Sequence, residues 1–322
     1  MRTKGFLSQA VRFSRRVISD YWIAMLALSL CVLIAVNGRG APSLALWLFA
    51  MVAAGAAFLV ACGRFYANLK INGHILLARL GLQPRTASPD YVRALFDRYA
   101  EEFDHHLMVE LSYRVPNLLI DTLGERLRAG APVIADLGCG TGVCGPLVAR
   151  YAAELIGVDL SSRMLEIAEQ KNCYDSLVES EVVAFLLQNP QSLDLCLAAD
   201  VLVYFGDLEA VLAAAYSALR EGGLFAFTVE ATDKKNWVLT RTGRYAHATD
   251  YIERLARGLG YQVLACRRET LRTQSDKPVI GNVWLLKKHE FKKQKIPSVG
   301  KHASQSNGDR LRPPVTVNAS AG

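Results

Sequence analysis

Residues 133–142 read Val-Ile-Ala-Asp-Leu-Gly-Cys-Gly-Thr-Gly, an apolar run that ends in Asp136 and passes into glycines at 138, 140 and 142. A second apolar run, Leu155-Ile156-Gly157-Val158, ends in another carboxylate, Asp159. Strand, glycine turn, helix, strand and acid, in that order, is how a doubly wound sheet holds a nucleoside-bearing cofactor at its switch point.

Outward from this motif the pattern alternates. Apolar runs predict strands at 132–137, 154–159, 177–180, 193–199, 223–230, 261–267 and 280–287, and helical spacing predicts helices at 142–152, 162–171, 206–220 and 246–259. Such alternation means an α/β fold with a doubly wound, mostly parallel, seven-stranded sheet covered on both faces. The last strand follows its predecessor without a helix between, which predicts an antiparallel edge position. Upstream, Ser88-Pro89-Asp90 opens a helix carrying Val92, Leu95, Phe96, Tyr99 and Phe103 at helical spacing. The domain therefore runs over 89–288.

Composition separates this domain from its flanks. The formal charge of +7 is concentrated at the ends, with +4 in residues 1–20 and +6 from Lys287 onward, leaving the middle slightly acidic. A basic balance of that origin points to charged tails, not to a basic groove, and no nucleic-acid partner is expected. Residues 21–63 carry one charged side chain, Arg39, and read as a two-helix transmembrane hairpin spanning about 21–38 and 42–63. Five basic residues precede the first span, and Arg64, Lys70 and Arg79 follow the second, which predicts an in–out–in anchor in the lipid bilayer with the domain on the cytoplasmic side. The Arg-rich, acid-poor start also fits a mitochondrial presequence, hence a mitochondrial membrane as the alternative. Residues 64–88 form a linker with a weak apolar stripe (Leu69, Ile71, Ile75, Leu76, Leu80, Leu82). Residues 289–322, nearly free of large apolar groups, read as a disordered basic tail. The seven cysteines are scattered, without zinc-ligand spacing, and no metal site is read.

The glycine spacing is G-x-G-x-G and position 143 is Val, where a dinucleotide fingerprint wants a small residue. That moves the cofactor from a nicotinamide towards S-adenosylmethionine. With the segments FDRYAEEFDHHL (96–107), YRVPNLL (113–119), ADLGCGTG (135–142), GVDLSSRMLEIA (157–168), DLCLAADVLVYFGDL (194–208), GGLFAFTVE (222–230) and GRYAHATDYI (243–252), residues 90–288 resemble a class I S-adenosylmethionine-dependent methyltransferase, in particular predicted methyltransferases often linked to tetratricopeptide repeats. No repeats are present here, and neither hairpin nor tail belongs to the resemblance.

The motifs assign candidate roles. Gly138 and Gly140 let the backbone pass close under the cofactor, and Gly142 starts the helix. Asp136 accepts from the methionine ammonium or braces the turn, and Asp159 accepts from the ribose hydroxyls. The resemblance implies that Met164 packs on the adenine or sits in the helix core, and that Glu181 recognises the adenine amine or caps a helix. Asp200, at the carboxyl end of an apolar strand, faces the ligand crevice. Tyr99 belongs to a lid that excludes water from a sulfonium whose charge vanishes in the transition state. His105 or His106 in the lid, and Tyr245 and His247 after Arg244, are the candidates for a base or acceptor contact. The expected activity is methyl transfer by a membrane-anchored enzyme to an acceptor that these motifs do not identify: lipid, quinone, small molecule or membrane protein. The alternatives are a non-catalytic S-adenosylmethionine-binding scaffold and a Rossmann dehydrogenase.

Overall fold

Strand β1 (Val133–Leu137) lies mid-sheet because its side chains are apolar on both faces, the pattern of a strand buried from above and below. The computed structural model describes residues 51, 52, 55, 59, 73–107, 111–128, 130–274 and 276–289. β2 (Glu154–Asp159) and β3 (Ser176–Glu179) follow β1 outward on one side, and β4 (Leu193–Ala198) and β5 (Leu219–Ala231) extend the sheet on the other, all parallel. The chain reverses its direction of growth between β1 and β4. A ligand crevice belongs at the carboxyl ends of the strands at that point.

Alternate residues supply two cores. Ala135, Cys196, Ala198, Phe225, Phe227, Trp284 and Leu286 face one side, where helices α5 (Val182–Gln188), α6 (Glu209–Ala218) and α7 (Thr249–Gly258) cover them. Ile134, Leu195, Leu197, Ala226, Val283 and Leu285 face the other, beneath α2 (Val115–Leu123) and Val148 of the short α3 (Gly145–Val148). This is the period-2 alternation of a sheet buried on both faces.

Several elements depart from the sequence reading. The sheet has nine strands among the described residues, because two three-residue strands, β6 (Trp237–Leu239) and β7 (Tyr245–His247), extend it beyond β5. β7 pairs in parallel with the end of β5, so the helix expected at 246–259 starts only at Thr249. The last strand, β9 (Lys277–Lys288), is antiparallel as expected but lies between β5 and β8 (Tyr261–Gln274). Its buried run Asn282–Leu286 suits an interior strand, whereas β8 carries exposed Arg267 and Arg268 and takes the edge. The helix expected at 142–152 is only α3 plus a 3₁₀ turn, Ala149–Tyr151, so Gly142 does not start it. Pro146 stands in the first turn of α3, where its missing N–H costs no helical bond.

α1 (Pro89–Tyr99) begins as read, with Ser88 accepting from the Tyr91 N–H, and it packs on α4 (Ser162–Glu169). A helix at 73–79 precedes it. Among the described residues no helix is long and apolar enough to cross a membrane. The basic start (1–20) and tail (290–322) lie outside the described residues, as does the hairpin (21–63) apart from four helical positions, Met51, Val52, Gly55 and Leu59.

Candidate active site

A cavity of about 930 Å³ opens at the carboxyl ends of β1, β2 and β4. Its first wall is the glycine turn. Gly138 has φ +64, and a Cβ there would stand 2.5 Å from Val201 Cγ2, so only glycine fits. Asp159 clamps the turn from β2: one carboxylate oxygen accepts the Gly140 N–H at 2.9 Å, the other the Ser161 N–H at 2.8 Å. A carboxylate offers roughly four acceptor directions, so Asp159, which lines the cavity, keeps capacity for a diol. Burial raises its carboxyl above the ordinary value, and those N–H bonds pull it back. Glu181 lines the same wall and caps α5, accepting from the Ala184 N–H at 2.9 Å, which is the capping reading.

Three expected contacts lie beneath this wall. Asp136 is buried outside the cavity lining and accepts from the Tyr174 hydroxyl at 2.8 Å, so it braces the turn. Burial lifts its carboxyl to about 6, which the Tyr174 bond opposes. Gly142 (φ +80) also lies off the lining, where an added Cβ would stand 2.9 Å from the Tyr174 ring. Met164 is wholly buried and does not line the cavity, because it points inward from the first turn of α4; Leu160 lines the wall instead.

The cover is α1 with the irregular turns after it. Val92, Leu95, Phe96, Tyr99 and Phe103 line the cavity, with the Tyr99 and Phe103 rings edge to face at 5.3 Å. Polar bonds fasten the cover to the nucleotide side: Ser161 Oγ donates to Asp97 at 2.6 Å, and Asp104 accepts from Thr141 Oγ1 and, at 2.9 Å, from Lys171 Nζ. His105 is exposed and outside the lining, whereas His106 lines the cavity with its ring edge-on to Tyr99 at 5.3 Å.

The floor holds four interlocked charges. Arg244 reaches Asp200 at 2.5 Å and Glu230 at 2.8 Å, while Arg272 reaches Asp200 at 3.2 Å and Glu230 at 2.5 Å. Burial pushes the Asp200 carboxyl up, and the two guanidiniums more than offset this, holding it below the usual range. Two cations and two anions make the cluster neutral, so Arg244 does not present a free guanidinium to an acidic acceptor. Asp200 lines the cavity as expected; the half-buried Tyr113, which heads the segment 113–119, and Arg272, which no motif singled out, also line it.

Tyr245 and His247 do not reach this space. Both are fully buried in β7 and absent from the lining; Tyr245 donates to the Pro84 carbonyl at 2.8 Å. His247 Nε2 bonds the Phe205 and Gly206 carbonyls at 2.8 and 3.1 Å, as a structural histidine. Burial lowers its pKa to about 4, although those carbonyls favour the charged ring. The unfolded chain therefore binds a proton near pH 6.5 that the native state refuses until about pH 4, so this contribution is complete above pH 6.5 and lost as pH falls. Asp136 has the opposite slope over about pH 4–6, so the difference between wild type and His247→Gln carries the test. Urea denaturation is expected to give a variant whose stability falls less between pH 7 and 5 than wild type does; equal losses would contradict the assignment.

Residues 135–227 match the family model described as a methyltransferase domain. A malonyl-[acyl-carrier protein] O-methyltransferase of Pseudescherichia vulneris is 30% identical over 141 residues, which cover 44% of this chain and 54% of that protein. A ubiquinone biosynthesis O-methyltransferase of Albidiferax ferrireducens is 30% identical over 136 residues, covering 41% and 54%. The chain spans about half the length of the curated relatives it matches. In fold it is similar to the Burkholderia thailandensis 1,6-didemethyltoxoflavin-N1-methyltransferase, whose structure holds S-adenosylhomocysteine (TM-score 0.51, 17% identity, 65% of this chain and 94% of that one). It is equally similar to a [4+2]-cyclase (TM-score 0.52, 15% identity, 64% and 98%). These findings support a methyltransferase domain of class I over residues 135–227, with S-adenosylmethionine as its cofactor. The glycine turn, the Asp159 carboxylate and the aromatic cover fit that group.

Proposed function

We propose that the chain is a membrane-anchored enzyme that moves the methyl group of S-adenosylmethionine to an oxygen of an apolar acceptor, a quinone or lipid. The observation that carries this reading is the continuity of one cavity from Gly138, Gly140 and Asp159 to a wall of Val92, Leu95, Phe96, Phe103 and Leu107. Its volume is at the upper end of the roughly 300–1,000 Å³ usual for ligand sites, with room for an acceptor beside the cofactor. Oxygen as the accepting atom is supported by the relatives named as O-methyltransferases, and a quinone by the one named for ubiquinone biosynthesis. The uncharged runs at 21–38 and 42–63, with basic flanks, support an anchor with the domain on the cytoplasmic side; a mitochondrial membrane is the alternative location.

The cofactor supplies an activated methyl on a sulfonium. The protein's part is orientation and a dry, weakly polar setting. Asp159 and the Gly138–Gly140 turn fix one reactant, the aromatic cover excludes water, and the neutral floor adds no net charge beside a centre that loses its own. His106, which lines the cavity, is the group we assign to take the proton of a hydroxyl acceptor. Replacing it with Gln is expected to lower kcat by about 10²-fold and leave cofactor affinity unchanged. An unaltered kcat would remove His106 from this role.

A second reading, cofactor binding without transfer, is favoured by the likeness to a cyclase, since this fold hosts more than one reaction. Incubating the full chain in its host membranes with methyl-tritiated S-adenosylmethionine separates the two. Label extracted into organic solvent supports the proposal, label on protein overturns the apolar acceptor, and binding without any label supports the second reading.

A further inference from the structure

The segment leading into the cover has two faces. In the helix at 73–79, His74 and Ala78 point inward: His74 Nε2 bonds the Gly243 carbonyl at 3.0 Å, its ring stacks on Tyr91 at 4.4 Å, and Ala78 packs with Ala87, Tyr91 and Tyr204. One helical turn separates those two anchors, and Leu76 and Leu80 fall about half a turn away. They stand 54% and 65% exposed, and Leu82, just past the Gly81 stop, is 53% exposed. Three leucines thus project from a segment whose other side is fixed to the domain. The same segment then becomes the rim of the cavity: Arg85, Thr86 and Pro89 line it, and Thr86 bridges to Phe205 on the lining.

We propose that Leu76, Leu80 and Leu82 seat the domain in the bilayer interface, so that the cavity opens at the lipid surface and an apolar acceptor enters from the membrane. The chain beside this face points to phospholipid as its occupant. Residues 21–63 carry a single charge, and residues 64–89 hold Arg64, Lys70, Arg79 and Arg85 with no acid, a balance suited to phospholipid headgroups. On the rim itself Asp207 stands 3.7 Å from Arg85, and Glu209 and Asp276 also line the cavity, so basic headgroup contacts belong to the leucine segment and not to the whole mouth. The inference rests on the membrane reading above, and adds to it a route for the acceptor.

The test uses the full chain in nanodiscs of phosphatidylcholine and phosphatidylglycerol, compared with discs whose acyl chains are brominated at the shallow depth, about 5–10 Å, that an interfacial apolar face reaches. Leu80→Trp is expected to add emission that the bromines quench. Leu187→Trp, at a leucine 61% exposed on α5, is expected to add emission that they do not. Equal quenching of the two, or Leu80→Trp emission that is blue-shifted yet unquenched because other parts of this chain cover it, overturns the proposal. So does failure of the chain to co-purify with the discs. S-adenosylmethionine binding measured on the same samples stays unaffected, so loss of the membrane seat and loss of the methyltransferase reading are told apart.

Discussion

Asp159→Ala is expected to weaken S-adenosylmethionine binding about 10²-fold or more. The carboxylate is the group at the end of β2 with acceptor capacity facing the cavity, and hydrogen bonds to a charged acceptor contribute about 1.5–3 kcal/mol each. Two such bonds to a diol correspond to at least two decades in Kd. The substitution also removes the acceptor of the Gly140 and Ser161 N–H groups, so the glycine turn loosens with it. Asp159→Asn restores one acceptor to the turn and discriminates the two effects. A folded Asn variant with strongly reduced affinity is the expected calorimetric result, and an Ala variant of unchanged affinity would contradict the role.

The second large effect is on stability. Arg272→Met is expected to cost about 3–5 kcal/mol, because it leaves Asp200 and Glu230 buried with only Arg244 between them. Arg272 is 3% exposed, so its guanidinium is largely shielded from bulk water. The Asp200 carboxyl, held low by two guanidiniums, rises when one is gone. Urea denaturation at pH 7 reads the loss directly, and Arg85→Met, at an 83% exposed side chain, provides the comparison at about 0.5 kcal/mol or less. A loss below about 1 kcal/mol for Arg272→Met would mean that the cluster does not hold the floor together.

The parts of this molecule that were legible beforehand are those encoded over short range. β2 begins and ends where its apolar run does, and Ser88 caps α1 as its position requires. The glycine turn and Asp159 meet because a parallel β1–β2 pair brings them together. What escaped depends on phase or on distant partners. The cover reads as one helix, but a 3₁₀ turn at Ala100–Glu102 breaks the 3.6-residue period, which is why His106 and not His105 turns to the cavity. Arg272 is one of several arginines on an edge strand, and nothing local distinguishes it from Arg267 or Arg268. His247 lay in an expected helix, yet tertiary pairing with β5 makes it a strand residue facing inward. α5 passed unread because Val182-Val183 favours strand locally; its Glu181 cap was the available signal.

We assign S-adenosylmethionine to the cavity at the β1–β4 switch. Calorimetric titration of the full chain with S-adenosylmethionine and, separately, with NAD tests it most directly. Saturable binding of the first, weakened by Asp159→Asn, with none of the second, is the expected result. Binding of NAD with no binding of S-adenosylmethionine would contradict it.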